Sequence, residues 1–277
     1  MPPRGTSAEF YAFPVYGRRE NFHLQEEERT DPQKHLDIAY EAHMVRYRRA
    51  AARAASRKAL DIGCGYGAGT REIAREALFA VGIDRDRATI ITASGRAASS
   101  PAAFAVADAR ELPFADETFD VISAFEVMEH LPEPERFLDE ARRTLTRDGD
   151  FFISAPRQRP GWQSENPGHL REYTAGEFSD IVNSRFEYCR FFGLEETEEF
   201  KQDFRRITKW ARLDIFGIAH LLGKRMKKFL LRHLVLKKKH HAQYFSISQD
   251  RFEIASNLFA HCSKTPIAGY GDKEAGN

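Results

Sequence analysis

A chain of 277 residues, 42% of them hydrophobic, is long enough for one α/β domain with additions. Its formal net charge of +1 argues against a polycation that coats nucleic acid, and its three cysteines form no Cys-x-x-Cys pair, which argues against a zinc cluster or a disulfide framework. No run of about 18 apolar residues that could span a membrane is present, and the first residues lack the apolar stretch of a secretion signal. We therefore expect a cytoplasmic protein.

The N-terminal part, residues 1–57, is predicted to be an irregular arm followed by a helix. Residues 1–30 mix aromatic residues, prolines and charges without a period, which leaves open an arm that folds over a ligand and a flexible tail. Over 32–56, side chains recur at the spacing of one helix face, at Leu36, Ala39, Tyr40, His43, Met44 and Tyr47.

Apolar strands alternate with helices from residue 58 onward. The predicted strands lie at 58–63, 79–84, 102–107, 119–125 and 150–155, and the predicted helices lie at 67–77, 86–97 and 133–146. Such alternation implies parallel strands joined by right-handed crossovers. A helix over 174–183, begun by the capping-box pair Thr174 and Glu177, and strands at 185–193 and 251–262 complete a seven-stranded, mostly parallel, doubly wound α/β sheet.

These elements divide the chain into four predicted parts. The arm and helix occupy 1–57, and a Rossmann-like core occupies 58–194 and 244–263. A helical insertion at 195–243 precedes the last strand; it begins acidic and ends strongly basic. The tail over 264–277 is rich in glycine and charge, which predicts a loose segment.

The loop after the first strand carries a glycine-rich pattern. Residues 59–70 read ALDIGCGYGAGT, with glycine at 63, 65, 67 and 69, and a predicted helix follows. A strand, a glycine loop and a helix in that order are how an open α/β sheet holds a nucleotide, because glycine lets the backbone approach a ligand closely. The spacing differs from the G-x-G-x-x-G of dinucleotide-binding proteins. Asp84, at the end of the next strand, is placed to accept hydrogen bonds from both hydroxyls of a ribose.

A series of segments from about 58 to 156 resembles the class I S-adenosylmethionine-dependent methyltransferases in order and spacing. The segments are DIGCG, GID, ADARELPF, FDVISAFEVMEHL and RTLTRDGDFFISAP. The resemblance implies S-adenosylmethionine as cofactor, with Gly63 and Gly65 at its methionine part, Asp84 at the ribose and Asp108 at the adenine. It also implies that the helix over 32–56 covers the cofactor entrance. The full set of cofactor-binding residues that it implies is Asp61, Gly63, Cys64, Gly65, Asp84, Arg85, Asp108, Ala109 and Phe125.

Two carboxylates and two imidazoles follow the fourth and fifth strands. If 126–130 forms a helical turn, Glu126, Glu129 and His130 share one face, and His169 lies downstream in NPGHLREY. Carboxylate oxygens and imidazole nitrogens suit Mg²⁺, Mn²⁺ or Fe²⁺ more than a structural zinc.

This cluster resembles the metal site of the ubiquinone-biosynthesis O-methyltransferases and of the enzymes that methylate the 2′-hydroxyl at the 3′ end of small RNAs. The resemblance implies that Mg²⁺ or Mn²⁺ is bound by Glu126, Glu129, His130 and His169. Two alternatives stay open: His130 or His169 acts as a catalytic base without a metal, or the cluster has only a structural role.

The sequence therefore predicts an O-methyltransferase that acts on a hydroxyl of a small molecule or a glycan, lipid-linked glycans included. An RNA 3′-terminal ribose 2′-O-methyltransferase is the first alternative, although the near-neutral charge and the lack of an RNA-binding module argue against nucleic acid. A non-catalytic partner protein with the cofactor fold is the second. The oligomeric state is not predicted.

Within the insertion, residues 224–241 read KRMKKFLLRHLVLKKKHH, with eight Lys or Arg and no acid. Three interpretations are open: a substrate lid with a solvated basic face, an interfacial helix that contacts anionic membrane, and a phosphate- or RNA-binding element. The second predicts peripheral contact with the inner face of the membrane.

Overall fold

The computed structural model describes residues 37–97, 100–158, 166–199, 202 and 245–267. The strands are β1 Lys58–Ile62, β2 Phe79–Asp84, β3 Ala102–Val106, β4 Phe119–Phe125, β5 Leu145–Pro156, β6 Tyr188–Glu196, β7 Phe245–Ser248 and β8 Asn257–Ser263. The helices are α1 Asp37–Ala51, α2 Ala68–Ile73, α3 Arg87–Gly95, α4 Pro134–Thr144 and α5 Ala175–Asn183.

These strands form one sheet in the order β3-β2-β1-β4-β5-β8-β6-β7. The first five strands of that order pair in parallel, whereas β8 is antiparallel to β5 and to β6, and β6 is antiparallel to β7. The mixed α/β class and the mostly parallel sheet confirm the predicted fold. The described sheet has eight strands where the sequence predicts seven. The extra strand, β7, has four residues and pairs only with β6 at the edge, so it leaves little periodic signal in the sequence.

Hydrophobic residues cover both faces of the sheet. Neighbouring residues in a strand point to opposite faces, and accordingly Leu60 and Phe151 belong to one buried cluster while Ala59 and Phe152 belong to the other. Helices α4 and α5 pack on the first face, and α1 and α2 pack on the second. This double covering is the doubly wound arrangement predicted from the alternation of strands and helices.

Helix α1 is part of this core. Its residues Tyr47 and Ala50 are buried, and the Tyr47 ring meets the ring of Phe125 on β4 edge to face at 4.8 Å. The predicted boundary at residue 57 therefore does not coincide with a break in packing. The predicted capping box at α5 is present: Thr174 and Glu177 each accept a hydrogen bond from the other's backbone N–H.

Several predictions from the sequence lie outside the described residues. They concern the arm over 1–30, most of the insertion with its basic segment 224–241, and the end of the tail. The ends of the insertion are close together, because Glu196 of β6 pairs directly with Phe245 of β7. Among the described helices, none has the length and apolar content needed to cross a membrane.

Candidate functional site

The glycine loop between β1 and α2 turns through three left-handed residues. Gly63, Gly65 and Gly67 have φ angles of 72°, 52° and 74°. A Cβ on Gly63 would lie 2.5 Å from a methyl carbon of Val127, and one on Gly67 would lie 2.5 Å from the ring of Phe104. At Gly65, by contrast, no atom of the described residues lies within 4 Å of such a Cβ. Two glycines are thus required by packing, and the third leaves an open stretch of backbone that a ligand can approach.

Asp84 at the end of β2 faces this open stretch. Its Oδ2 accepts a hydrogen bond from the backbone N–H of Gly65 at 3.1 Å, and its Oδ1 accepts one from the N–H of Asp86 at 2.9 Å. The side chain is half-buried, and each oxygen keeps a further lone pair for a ligand. Arg85 follows and is exposed.

Asp61 lies beneath the loop and is fully buried. Its carboxylate accepts hydrogen bonds from the hydroxyls of Thr70 at 2.7 Å, Ser123 at 2.8 Å and Tyr47. Burial raises the pKa of Asp61 to about 6. This side chain therefore connects α1, α2 and β4 from below, whereas the sequence predicts it as a cofactor contact.

Two further residues predicted to bind cofactor also have buried side chains. The thiol of Cys64 is buried, which raises its pKa above the ordinary value and keeps it from acting as a nucleophile. The ring of Phe125 packs between Tyr47 and Phe259 in the core. In this conformation, Cys64 and Phe125 can reach a ligand only through their backbone, because the fold turns both side chains inward.

Asp108 and Ala109 follow β3, beside the strand that ends in Asp84. The carboxylate of Asp108 accepts hydrogen bonds from the guanidinium of Arg110 at 2.8 and 3.1 Å and from its backbone N–H at 2.8 Å. These contacts hold the pKa of Asp108 at about 2. Asp108 is therefore an ionised, partly exposed acceptor, as recognition of an adenine amino group requires. Arg110 was not predicted, although the Asp-x-Arg spacing was a local signal for it.

Three of the four predicted metal-ligating residues converge. One nitrogen or oxygen from each of Glu129, His130 and His169 lies within 4.8 Å of the other two. Glu129 is fully buried, and its Oε1 is 4.0 Å from Nε2 of His130. The imidazoles of His130 and His169 meet edge to face with ring centroids 4.9 Å apart.

Backbone hydrogen bonds bring these residues together. Glu129 and His130 lie on a short 3₁₀ turn, Met128–His130, which begins three residues after β4 ends, and His169 lies in the loop after β5. The carbonyl of Glu129 accepts hydrogen bonds from the N–H groups of Leu170 and Arg171 at 2.8 and 3.3 Å.

Each histidine is oriented by its Nδ1. In His130, Nδ1 is 2.9 Å from the carbonyl oxygen of Gly168, and in His169 it is 3.2 Å from Oε1 of Glu172. Both partners can only accept, so we assign the proton to Nδ1 in each ring. The lone pair of each neutral ring is then on Nε2, the atom that would bind a metal or take a proton. Glu172 was not predicted as an orienting partner, although its position three residues after His169 was a local cue.

Glu126 is not part of this group. Its carboxylate accepts hydrogen bonds from Ser154 Oγ at 2.6 Å and Asn257 Nδ2 at 3.1 Å, and its Oε1 lies 3.5 Å from Arg46 Nη1. The backbone of Glu126 is left-handed, with φ of 57°, so residues 126–130 do not form the helical turn that the spacing suggests. The structure therefore separates Glu126 from the other three candidate ligands.

Part of the chain is similar to known methyltransferases. Residues 60–153 match a family model described as a methyltransferase domain. A protein from Mycolicibacterium smegmatis, named a probable S-adenosylmethionine-dependent methyltransferase, is 36% identical over 149 residues, which cover 52% of this chain and 57% of that protein. A ubiquinone biosynthesis O-methyltransferase from Pseudomonas fluorescens is 31% identical over 112 residues, covering 38% of this chain and 47% of that one. The chain thus spans about half the length of the curated relatives it matches.

Solved structures share the fold. A crystal structure from Thermotoga maritima, described as a SAM-dependent methyltransferase and possible histamine N-methyltransferase, superposes with a TM-score of 0.55. The match covers 82% of this chain and 92% of the other at 14% identity, a level at which the similarity shows the fold alone.

Proposed function

The chain carries a class I S-adenosylmethionine-dependent methyltransferase domain, and on this premise we propose that it methylates a hydroxyl of a small molecule or a glycan. The observation that carries the proposal is the convergence of Glu129, His130 and His169 at the carboxyl end of β4. Ligands of open α/β sheets bind at this edge, and Val127 of the same segment contacts Gly63 of the glycine loop. The candidate acceptor site therefore adjoins the candidate cofactor site.

The cofactor loop fits S-adenosylmethionine in two respects. The open backbone at Gly65 can approach the methionine part. The carboxylates of Asp84, at the end of β2, and Asp108, just after β3, lie on neighbouring strands, where they could accept hydrogen bonds from the ribose hydroxyls and the adenine amino group. When bound, S-adenosylmethionine supplies a methyl group on a positively charged sulfur, which leaves without further activation. The chain therefore has to activate only the acceptor.

His130 and His169 are suited to that activation. A hydroxyl is a poor nucleophile until its proton is removed, and the Nε2 of either ring could receive that proton. The contacts of Nδ1 with Gly168 and Glu172 keep each ring in one orientation and stabilise the imidazolium that forms.

The same three side chains also suit a divalent metal. One carboxylate and two imidazoles with oriented Nε2 atoms would hold Mg²⁺ or Mn²⁺ at Glu129, His130 and His169. A bound divalent ion lowers the pKa of a hydroxyl and orients it. Two adjacent hydroxyls would fill the positions that these three residues leave open, which favours diols such as those of sugars.

A second candidate function is methylation of the terminal ribose of RNA, since a ribose end also presents a diol. The net charge of +1 argues against it, because a protein that neutralises several phosphates carries a surplus of Lys and Arg. The similarity of this chain to relatives that are named O-methyltransferases favours oxygen as the acceptor atom. A non-catalytic role is disfavoured by the intact glycine loop and Asp84.

Calorimetry with S-adenosylmethionine tests the cofactor assignment. Asp84→Ala should weaken binding by about tenfold or more, because the ribose hydroxyls lose their carboxylate acceptor. Asp120→Ala is the matched control: Asp120 also accepts a backbone N–H, that of Lys58, but it lies at the opposite end of the sheet. Equal affinity of the wild type and Asp84→Ala for S-adenosylmethionine would contradict the assignment of Asp84 to the ribose.

Methyl transfer from labelled S-adenosylmethionine to sugars, lipid-linked glycans, phenols and RNA ends tests the acceptor class. We expect transfer to a diol, loss of activity in EDTA and recovery with Mg²⁺ or Mn²⁺. His169→Gln should lower Mn²⁺ affinity, measured by electron paramagnetic resonance, by about tenfold or more while S-adenosylmethionine affinity is kept. Activity that is insensitive to EDTA would leave His130 or His169 as a plain base, and labelling of RNA ends alone would favour the second candidate.

For the basic segment over 224–241 the proposal is peripheral contact with anionic membrane. Its eight Lys or Arg are interleaved with Leu, Met and Phe, the composition of an interfacial element. The protein should sediment with vesicles that contain phosphatidylserine and remain in solution with neutral vesicles. Changing Lys237, Lys238 and Lys239 to Gln should reduce that binding. Sedimentation with both kinds of vesicle, or with neither, would contradict the proposal.

A further inference from the structure

Arg46 of α1 is buried beside Glu126, the residue that follows β4. Its side chain has no exposed surface, and its Nη1 lies 3.5 Å from Oε1 of Glu126 and 3.2 Å from Nδ1 of His43. Glu126 in turn accepts hydrogen bonds from Ser154 on β5 and Asn257 on β8. The carboxylate is therefore held by groups from a helix and two strands, and its partners come from positions far apart in the chain.

The backbone of Glu126 adopts a conformation that a glutamate rarely takes. Its φ of 57° is left-handed, and its N–H donates to the carbonyl of Ser154 at 3.1 Å. The other described non-glycine residues with positive φ, Ser56 and Glu117, both lie in turns. Such strain persists only where the surrounding structure holds the residue in place. At Glu126, the hydrogen bonds and the charge of Arg46 supply that restraint.

The left-handed residue determines the path of the segment that follows. β4 ends at Phe125, Val127 packs against the Cα of Gly63, and the 3₁₀ turn with Glu129 and His130 begins one residue later. A different backbone at Glu126 would redirect this short turn as a whole. The meeting of His130 with His169 therefore depends on the conformation of Glu126.

We propose that the buried Arg46–Glu126 pair is a positioning device that holds the turn after β4, so that Glu129 and His130 face His169. Arg46 and Glu126 then act through the turn and need not contact the acceptor. The inference also makes α1, which precedes the matched domain, part of the site. The inference rests on the proposed function only for the role of the positioned residues in methyl transfer. The positioning itself can be measured without an acceptor.

The readout is the tautomer of His130, recorded by long-range ¹H–¹⁵N correlation of the histidine rings at a pH where they are neutral. In the wild type, the ring should show one tautomer with the proton on Nδ1, because Gly168 accepts from it. The His130→Gln spectrum identifies the signal. In Arg46→Met, Glu126→Gln and the double variant, the turn should lose its fixed direction, and the His130 shifts should move to the average of the two tautomers.

Stability separates positioning from a merely structural role. Each single substitution leaves one charge buried without its opposite charge, so both should lower the melting temperature. The double variant buries neither charge and should regain stability without regaining the His130 tautomer. The matched control is Arg53→Met, whose guanidinium pairs with the buried Asp150 at the other end of the sheet. It should lower stability and keep the His130 tautomer.

The proposal is overturned if the double variant keeps the wild-type His130 tautomer, or if Arg53→Met loses it. It is also overturned if Arg46→Met weakens S-adenosylmethionine binding by about tenfold or more, because Arg46 would then be a cofactor contact. Failure of the proposed function looks different: the wild type would methylate no acceptor, while the His130 tautomer would still respond to Arg46 and Glu126.

Discussion

At the scale of single residues, the buried carboxyl of Asp61 should make stability depend on pH. Burial raises its pKa from 3.8 to about 6, so the folded protein binds this proton more tightly than the unfolded chain. For an acid with a raised pKa, the contribution to stability is fully present below the unfolded value and is lost as pH rises to the folded value. The free energy of unfolding should therefore fall as the pH rises from 3.8 to about 6, and it should stay lower above that pH.

Asp61→Asn should remove this pH dependence. The free energy of unfolding of the wild type relative to the variant should fall by up to about 3 kcal/mol between pH 4 and 7, since one pKa unit corresponds to about 1.4 kcal/mol. Urea unfolding at a series of pH values measures the difference. Parallel curves for the two proteins would show that Asp61 is not the group that titrates.

At the scale of elements, α1 and α2 contact each other through a glycine. A Cβ on Gly69 of α2 would lie 2.0 Å from Cζ of Tyr47, whose ring also packs against Phe125. Tyr47 therefore lies directly against the backbone of α2. Because α2 begins at the glycine loop, we expect the position of Tyr47 to affect the candidate cofactor site.

Gly69→Ala should push Tyr47 out of its place. We expect a loss of about 1–3 kcal/mol in the free energy of unfolding, the usual cost of overpacking, together with weaker S-adenosylmethionine binding. Gly95→Ala at the end of α3 is the control, because a Cβ there meets no described atom within 4 Å. That change should be neutral or stabilising by up to about 1 kcal/mol. Equal effects of the two substitutions would contradict the packing argument.

At the scale of the whole molecule, we expect the insertion to be separable from the core. Glu196 and Phe245 are paired across β6 and β7, so the chain leaves the sheet and returns to it at one place. The loops predicted to contact the cofactor follow β1, β2 and β3, which β5 and β8 separate from β6 and β7 in the strand order.

Deleting residues 200–243 should leave S-adenosylmethionine binding nearly intact and remove methyl transfer. The remaining residues 197–199 and 244 would form a four-residue connection, which is within the usual length of a hairpin loop. Calorimetry and the transfer assay on the same preparation measure both effects. If cofactor affinity falls as far as activity, the insertion belongs to the core.

Local patterns were enough to predict much of the fold. The five parallel strands and the helices between them follow from apolar periodicity, and the start of α5 follows from its capping box. The glycine loop was predicted from the spacing of its glycines. The structure gives the reason for two of them, because a Cβ at 63 or 67 would clash with Val127 or Phe104. β7 was missed because a strand of four residues is too short to show a clear alternation of apolar and polar residues.

The sequence by itself therefore determined the order of the five parallel strands and their helices, the glycine loop and the segments that carry Glu129, His130 and His169. The tertiary structure alone decided where Asp61 and Glu126 point. Both residues look like ligand-binding acids in the sequence, yet their partners come from distant positions: Asp61 accepts from Ser123, 62 residues on, and Glu126 accepts from Asn257, 131 residues on. No local pattern encodes such pairs, because they form only when separate strands and helices pack together.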